Sequence, residues 1–398
     1  MKNRCFSKCR GLKEPECVKP CSFVKEKYCR LSSTLKMTPP DCRIMKRAKS
    51  SKRASKKAPV KHTNILCSDS NVCFFGKDFK DFTHAVSMKK TQEGWVIYYK
   101  KGDFLSHALL KSNQNNLAYE YLVGQFLNEM SKKSPLFLET YGLYVYPKEP
   151  TLSSLAHTLV PLGPEKLAMI CGHPEMVCLL VQHIQGSFPL TQMVRNAHFF
   201  IHDALYVFYQ IYFTLSMLRK VFTHGHLECK QVMLYEPVKN GYIEYHYHLP
   251  KEVVRFKSSY LVKVKEVGNS YFKGSKPYYD LLCKEPRCEC GKGHGFQLDL
   301  NGSINESHDL GLLKDYQELS RMKSHPNKYI QSFVQVFEDV HSNKIHQVSE
   351  AEKRLRVLIQ DPVRQRINTL SYTKSDKLGD LHVYTNGKEV DFVSQKNI

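Results

Sequence analysis

The chain has 398 residues, of which 42% are hydrophobic and 24% are charged, and its formal net charge is +21. A chain of this size and composition buries a real core, as one two-lobed domain or two smaller ones, and is not disordered as a whole. No stretch approaches the roughly 18 apolar residues of a membrane span, and the N-terminus lacks a signal-peptide core, so we expect a soluble intracellular protein.

The leader, residues 1–66, holds most of the charge, with 19 Lys and Arg residues against 4 Asp and Glu residues. Its Cys-rich basic module, residues 1–45, contains four regularly spaced thiols that suit either a tetrahedral Zn²⁺ site or a disulfide-stapled hairpin: Cys5, Cys9, Cys17 and Cys21. The Lys/Ser-rich linker, residues 46–66, is too poor in apolar residues to fold alone. We expect the leader to contact nucleic acid or an acidic partner, with a solvated tail or a nuclear-localisation patch as the alternatives.

The globular pattern begins near residue 90. Residues 94–100 and 104–112 are rich in β-branched and aromatic side chains and flank a turn signal, so they predict a β-hairpin. Residues 115–130 show helical spacing of apolar side chains. Residues 135–146 and 176–184 predict two further strands.

The second half is more helical. Apolar side chains at helical spacing predict one long core helix over residues 199–221, which leads into a His-rich turn. Ser349 and Glu352 match a capping box, with a Glu350–Arg354 pair one turn apart, and predict a further helix before a polar end. The predicted fold class is therefore α+β.

The turn after that helix, residues 222–237, resembles the catalytic loop of protein kinases, His-Arg-Asp-Leu-x-x-x-Asn followed by an apolar strand. His224 and Leu227 fall on this frame, which puts His226 at the catalytic Asp position and Gln231 at the metal-binding Asn position. Further along, Glu266-Val267-Gly268 stands at the Asp-x-Gly metal motif. The chain is similar over residues 90–340 to the kinase-like proteins of large nucleocytoplasmic DNA viruses, of iridovirus and giant-virus type.

This resemblance implies a bilobal protein-kinase-like fold. A small β-rich N-lobe would span residues 67–183, a helical C-lobe residues 184–345, and a helical extension with a tail residues 346–398. In such a fold Lys111 would hold the ATP phosphates and Glu120 would pair with it.

The same resemblance makes Asp309 the anchor that braces the catalytic loop, and ATP with Mg²⁺ the implied cofactors. The glycine-rich lid is poorly matched, since residues 80–105 contain only Gly94 and Gly102. His226 becomes cationic when it accepts a proton, while Gln231 and Glu266 are each one carbon too long for ideal Mg²⁺ geometry.

These substitutions predict a pseudokinase scaffold that binds a protein partner, located in the virion or host cytoplasm, with the nucleus as an alternative. A second interpretation is a working Ser/Thr kinase of unusual design that uses Glu228 or Asp299 as its base. A third is a DNA-binding packaging protein whose active part is the leader.

One further cluster lies between Glu266 and Asp309. Its three thiols and one imidazole can supply a structural Zn²⁺ site, with reduced thiols in a loop as the alternative: Cys283, Cys288, Cys290 and His294. The strand residues His183, His246 and His248 are expected to be structural, and we assign them no role.

Overall fold

The computed structural model describes residues 21–24, 28–31, 85–101, 104–112, 117–146, 149–155, 177–275, 307, 309–314 and 326–394. The chain divides into two units, Met1–Val60 and Lys61–Ile398. In the first unit, strands β1 (Cys21–Val24) and β2 (Tyr28–Leu31) form an antiparallel hairpin. None of the helices in the described residues has the length and apolar character needed to cross a membrane.

The second unit has an α+β fold that begins with an antiparallel five-stranded sheet. Its strands follow the order β3-β4-β5-β7-β6, and they are β3 (Ala85–Lys90), β4 (Gly94–Lys101), β5 (Phe104–Ser112), β6 (Thr140–Val145) and β7 (Val177–Gln182). Helix α1 (Leu117–Ser131) contacts β6 and β7. The predicted hairpin, helix and two strands are confirmed. Strand β3 was not predicted, because most of its side chains are exposed and it lacks the apolar residues of a buried strand.

The predicted single helix over residues 199–221 is wrong, because the structure breaks it at Asp203. Helix α2 (Ala197–His202) ends there and α3 (Ala204–Leu218) begins, and Asp203 has a non-helical φ of −121°. The side chains of α3 are buried on nearly every side. Apolar periodicity continues across the break, which is why the sequence pattern does not reveal it.

Three smaller sheets surround α3. Their strands are β8 (Phe188–Pro189), β9 (Phe222–Thr223), β10 (Val232–Tyr235), β11 (Gly241–His248), β12 (Val253–Ser258), β13 (Leu261–Val264), β14 (Tyr271–Phe272), β15 (Asp376–Tyr384) and β16 (Asp391–Ser394), in the orders β13-β10-β8, β14-β9 and β12-β11-β15-β16. The other α-helices among the described residues are α4 (Gly311–Lys314), α5 (Lys328–His341), α6 (Val348–Gln360) and α7 (Pro362–Ser371). One apolar cluster runs from Val96 in the five-stranded sheet to Phe392 in β16.

Two details of the C-terminal region differ from expectation. The capping box of α6 is formed by Gln347 and Glu350, while Glu352 is buried inside the helix, where it accepts a hydrogen bond from Tyr209. A polar tail was expected after the helices, but β15 pairs in parallel with β11 and joins the four-stranded sheet. Residues 379–384 do alternate between buried and partly exposed positions, which is typical of a strand.

Candidate functional site

Lys111 and Glu120 form a buried ion pair at the base of a cleft. Lys111 lies near the end of β5 and Glu120 in the first turn of α1, and each residue is only 4% exposed. The Lys111 Nζ atom lies 2.8 and 2.7 Å from the two carboxylate oxygens of Glu120. Such a bidentate, desolvated pair fixes the strand against the helix, and it leaves one further direction of the ammonium for a ligand.

The loop that follows α3 is held from below by one carboxylate. Asp309 Oδ2 accepts hydrogen bonds from the Thr223 hydroxyl, the His224 backbone N–H and the Ser307 hydroxyl, at 2.8, 2.6 and 2.7 Å. Its Oδ1 accepts from the Gly225 N–H at 2.9 Å. Asp309 is 6% exposed, so these four donors replace the water that a free carboxylate would bind.

His224 is fixed inside this loop as a neutral ring. Its Nε2 lies 3.2 Å from the Lys265 carbonyl, which can only accept, so Nε2 carries the proton. Nδ1 is buried without a hydrogen-bond partner. Burial lowers the pKa of His224 and outweighs the opposing effect of the Asp309 charge. The ring therefore serves as a packed structural element of the loop.

Gln231 and Glu266, at the two metal-binding positions of the kinase frame, bond to each other. The Glu228 backbone N–H donates to Gln231 Oε1 at 3.1 Å, and this contact fixes which end of the amide is oxygen. The amide nitrogen then donates to Glu266 Oε2 at 3.1 Å. The Gln231 side chain thus links the loop backbone at Glu228 to the carboxylate of Glu266.

Lys265 binds the other oxygen of Glu266 from inside the protein. Its Nζ lies 3.0 Å from Glu266 Oε1 and 3.1 Å from Glu93 Oε1, so one ammonium joins two carboxylates that are far apart in sequence. Burial alone would lower the pKa of Lys265, but hydrogen bonding and the charges of Glu266 and Glu93 raise it. Burial opposes ionisation of Glu266 as well, yet Lys265 and Gln231 lower its pKa.

The backbone around Glu266 is also unusual. Glu266 has φ 60° and ψ 56°, a left-handed conformation that non-glycine residues rarely adopt. It lies two residues after the end of β13 and directly precedes a short 3₁₀ turn, Val267–Asn269. This backbone conformation directs the Glu266 carboxylate towards the side chains of Gln231 and Lys265.

The connection above the cleft is short and carries an acid. Residues 91–93 join β3 to β4, and Glu93 is its last residue. Gly94 has φ +139°, and a Cβ there would lie 2.0 Å from the Leu110 carbonyl oxygen. The glycine is therefore required for packing against β5, and this connection has no glycine-rich loop that could cover a phosphate.

The rim of the cleft carries a histidine–carboxylate pair. His226 Nε2 lies 2.6 Å from Glu228 Oε1, and the other oxygen of Glu228 lies 2.8 Å from Lys230 Nζ. The Lys230 hydrogen bond, followed by the His226 contact, lowers the pKa of Glu228. Three residues stand at the catalytic positions of the kinase frame: His226, Gln231 and Glu266. The side chain of His226 is the most exposed of the three, at 45%.

The cleft has an apolar and a polar part. The mainly apolar part has a volume of about 70 Å³, well below the roughly 300 to 1,000 Å³ of most ligand pockets. Its apolar walls are Leu109, Leu138, Val181 and Val264, and charged residues at its edge include Lys111, Glu120 and Glu266. The polar part has a volume of about 310 Å³ and is lined by Lys111, Glu120, His226, Gln231, Glu266, Gly268 and Asn269. The structure thus gathers five of the predicted site residues around one opening.

Several predicted site residues lie outside the described residues: Cys5, Cys9, Cys17, Cys283, Cys288, Cys290, His294 and Asp299. Cys21 is described only as the first residue of β1. Sequence reasoning missed Glu93 and Lys265. They are 172 positions apart, and no local pattern relates them.

Both oxygens of Glu266 and the oxygen of Gln231 have protein partners, and the ammonium of Lys265 pairs with the charge that a metal ion would neutralise. No known protein-family profile matches the sequence, and no curated protein sequence is significantly similar to it. The resemblance to kinases therefore depends on the sequence motifs.

Proposed function

We propose that the chain is a pseudokinase: a bilobal protein-kinase-like scaffold of viral type that binds a protein partner and does not transfer phosphate. Its small lobe would comprise residues 67–183 and its helical lobe residues 184–345. The Lys111–Glu120 pair and the Asp309-braced loop support the kinase-like fold, because they occupy the positions that the resemblance assigns to them.

The position of Lys265 is the observation that best supports the proposed absence of phosphoryl transfer. Its ammonium neutralises Glu266 and holds Glu93 across the cleft. A bound nucleotide and metal would have to displace both contacts and the Gln231–Glu266 hydrogen bond. Glu93 would also bring a negative charge towards any phosphate placed beneath it, which is unfavourable.

The direct test is nucleotide binding by the full chain. We expect less than about 1 °C of thermal shift with millimolar ATP and Mg²⁺ or Mn²⁺, because only a ligand of the folded state raises apparent stability. We also expect no transfer of radiolabel from ATP to the protein. A shift of several degrees, or labelling that is lost in Lys111→Met, would refute the proposal.

A matched pair of variants tests the physical reason. The double variant Glu93→Gln, Lys265→Met removes the internal bridge and leaves the Glu266 carboxylate without its cation, so it should gain a thermal shift with ATP and Mg²⁺. The control Lys132→Met removes an ammonium that pairs with Glu129 at the end of α1. It should remain as unresponsive as the parent protein.

A working kinase is the second candidate, and Glu228 is the observation that favours it. A carboxylate on the loop, 2.6 Å from His226, is the type of group that accepts a proton from a substrate hydroxyl. If phosphoryl transfer is detected, Glu228→Gln should reduce its rate by at least about 100-fold. Equal rates in both proteins would exclude this role for Glu228.

The leader gives the proposal its second part. We propose that residues 1–66 contact nucleic acid or an acidic protein through their excess of Lys and Arg residues, in the virion or host cytoplasm. DNA binding that falls steeply with salt and is lost on deletion of residues 1–66 would favour a packaging role. Salt-independent binding, or binding unaffected by the deletion, would contradict it.

A further inference from the structure

The solvent side of the four-stranded sheet concentrates ionisable side chains. Along β11, the partly exposed positions are Glu244, His246 and His248. The parallel register with β15 sets Glu244 beside Asp380 and His246 beside His382. Because neighbouring strands lie about 4.8 Å apart, acids and imidazoles on adjacent strands come within coordination distance of one another.

Three of these side chains converge on one point. His246 Nε2 lies 2.9 Å from Asp380 Oδ1 and 3.8 Å from Glu244 Oε1. One ligand atom from each of the three residues lies within 4.8 Å of the other two. Ligands that surround one Zn²⁺ at about 2.0 to 2.2 Å lie roughly 3 to 4 Å apart, so small side-chain movements would complete the site.

The His246 ring is held in place by its neighbours. The His382 ring stacks on it with a centroid distance of 4.5 Å, and His382 Nδ1 lies 3.0 Å from His248 Nε2. The side chains of His246, Asp380 and Glu244 are only 13%, 25% and 27% exposed. Partial burial and stacking reduce the entropy that the imidazole loses when it binds an ion.

A cation from the protein already lies in this cluster. Lys377 Nζ is 2.9 Å from Glu244 Oε2 and 2.8 Å from Asp380 Oδ1. Its side chain is 21% exposed and flexible, so the ammonium can turn towards solvent when another cation takes its place. The two carboxylates thus attract a positive charge in a position that an imidazole nitrogen also faces.

We propose that Glu244, His246 and Asp380 bind a divalent transition-metal ion of the Zn²⁺ or Co²⁺ type, in competition with Lys377. An imidazole ligand favours such ions over Mg²⁺ and Ca²⁺. Three protein ligands leave a position for water or for a side chain of a partner protein. Since His246 and Asp380 are 134 positions apart in the chain, the ion would cross-link strand β15 to strand β11.

The test is titration of metal-free full chain with Co²⁺ and with Zn²⁺. Besides any ion held by the two Cys clusters, we expect one Co²⁺ ion whose contribution to the spectrum lacks the strong sulfur-to-metal bands of cysteine sites. His246→Ala and Asp380→Asn should each lower its affinity at least tenfold, and Lys377→Met should raise it by up to about fivefold. Asp391→Asn, on the same sheet face and outside the cluster, is the control and should bind as the parent does.

Two results would overturn the proposal. One is an unchanged number of bound ions and unchanged affinity in both His246→Ala and Asp380→Asn, with folding verified by the fluorescence of the single tryptophan, Trp95. The other is weaker metal binding in Lys377→Met, because removal of a competing ammonium cannot weaken a site that the ammonium blocks. Zn²⁺ should also raise the melting temperature of the parent more than that of His246→Ala.

Discussion

Replacement of Asp309 with Asn tests how the loop after α3 is held. The carboxylate accepts from four donors, two of them the backbone N–H groups of His224 and Gly225 and two of them the hydroxyls of Thr223 and Ser307. An amide has only one acceptor oxygen, so either orientation turns an NH₂ group towards a backbone N–H. The hydroxyls can rotate to accept, but a backbone N–H cannot.

The magnitude follows from this count. One buried N–H without an acceptor costs about 1 to 3 kcal/mol, and hydrogen bonds to a charged group lose about 1 kcal/mol each when the group becomes neutral. We therefore expect Asp309→Asn to lower the free energy of unfolding by about 3 to 5 kcal/mol. Ser307→Ala removes one hydroxyl donor and leaves the carboxylate intact, so it should cost only about 1 kcal/mol.

Urea unfolding followed by tryptophan fluorescence measures both changes. The chain has a single tryptophan, Trp95, which is 8% exposed in β4 and so reports on the five-stranded sheet. The double variant should show strong coupling between positions 307 and 309, because both changes alter one hydrogen-bonded group. The reasoning is refuted if Asp309→Asn is no more destabilising than Ser307→Ala.

Three further changes have defined outcomes. Burial raises the pKa of Asp203 to about 6 from 3.8, so the folded state keeps this proton between about pH 4 and 6 while the unfolded chain loses it. The free energy of unfolding of the wild type, compared with that of Asp203→Asn, should therefore fall as the pH rises through that window. Urea titrations at each pH should show a total fall of about 1 to 3 kcal/mol by pH 7. Asn368→Ala should cost about 1 to 2 kcal/mol, because the side-chain amide bonds both the N–H and the C=O of Lys257 at the sheet edge; light scattering should show increased association. Lys111→Met should cost about 3 to 5 kcal/mol by leaving Glu120 buried and unpaired, and adding Glu120→Gln should restore part of that loss. A cost below about 1 kcal/mol for the single change would contradict the burial of the pair.

Local patterns were sufficient for the elements of the five-stranded sheet. The hairpin of β4 and β5 and the helix α1 follow from strand-like and helical spacing, and this order is also what associated Lys111 with Glu120. The kinase resemblance, applied to this strand–helix order, is what implied their contact, because a nine-residue spacing alone is also met by two unrelated surface charges.

Contacts between distant segments were not predictable in the same way. The break at Asp203 is hidden by apolar side chains that continue through it, and the Glu93–Lys265 contact depends on the positions of two separate sheets. His246 was expected to be an isolated structural residue, because its neighbour Asp380 belongs to a strand that pairs with β11 from the other end of the chain. In each case the decisive information is tertiary, and it appears in the sequence only as isolated charges.

The cleft and the sheet face differ in how they use their charges, and this difference determines which of them can bind a ligand. In the cleft, a ligand of Glu266 must displace two protein partners, the Lys265 ammonium and the Gln231 amide, and Gln231 is itself held by the loop backbone. On the sheet face, the cation between the carboxylates is the end of one flexible lysine, and only that side chain has to move. Competition with a single tethered ammonium is a small barrier, since exposed ion pairs contribute only about 0 to 1 kcal/mol. The residues that resemble a catalytic centre are therefore the less available of the two groups, and metal binding is expected at the sheet face before nucleotide binding is expected in the cleft.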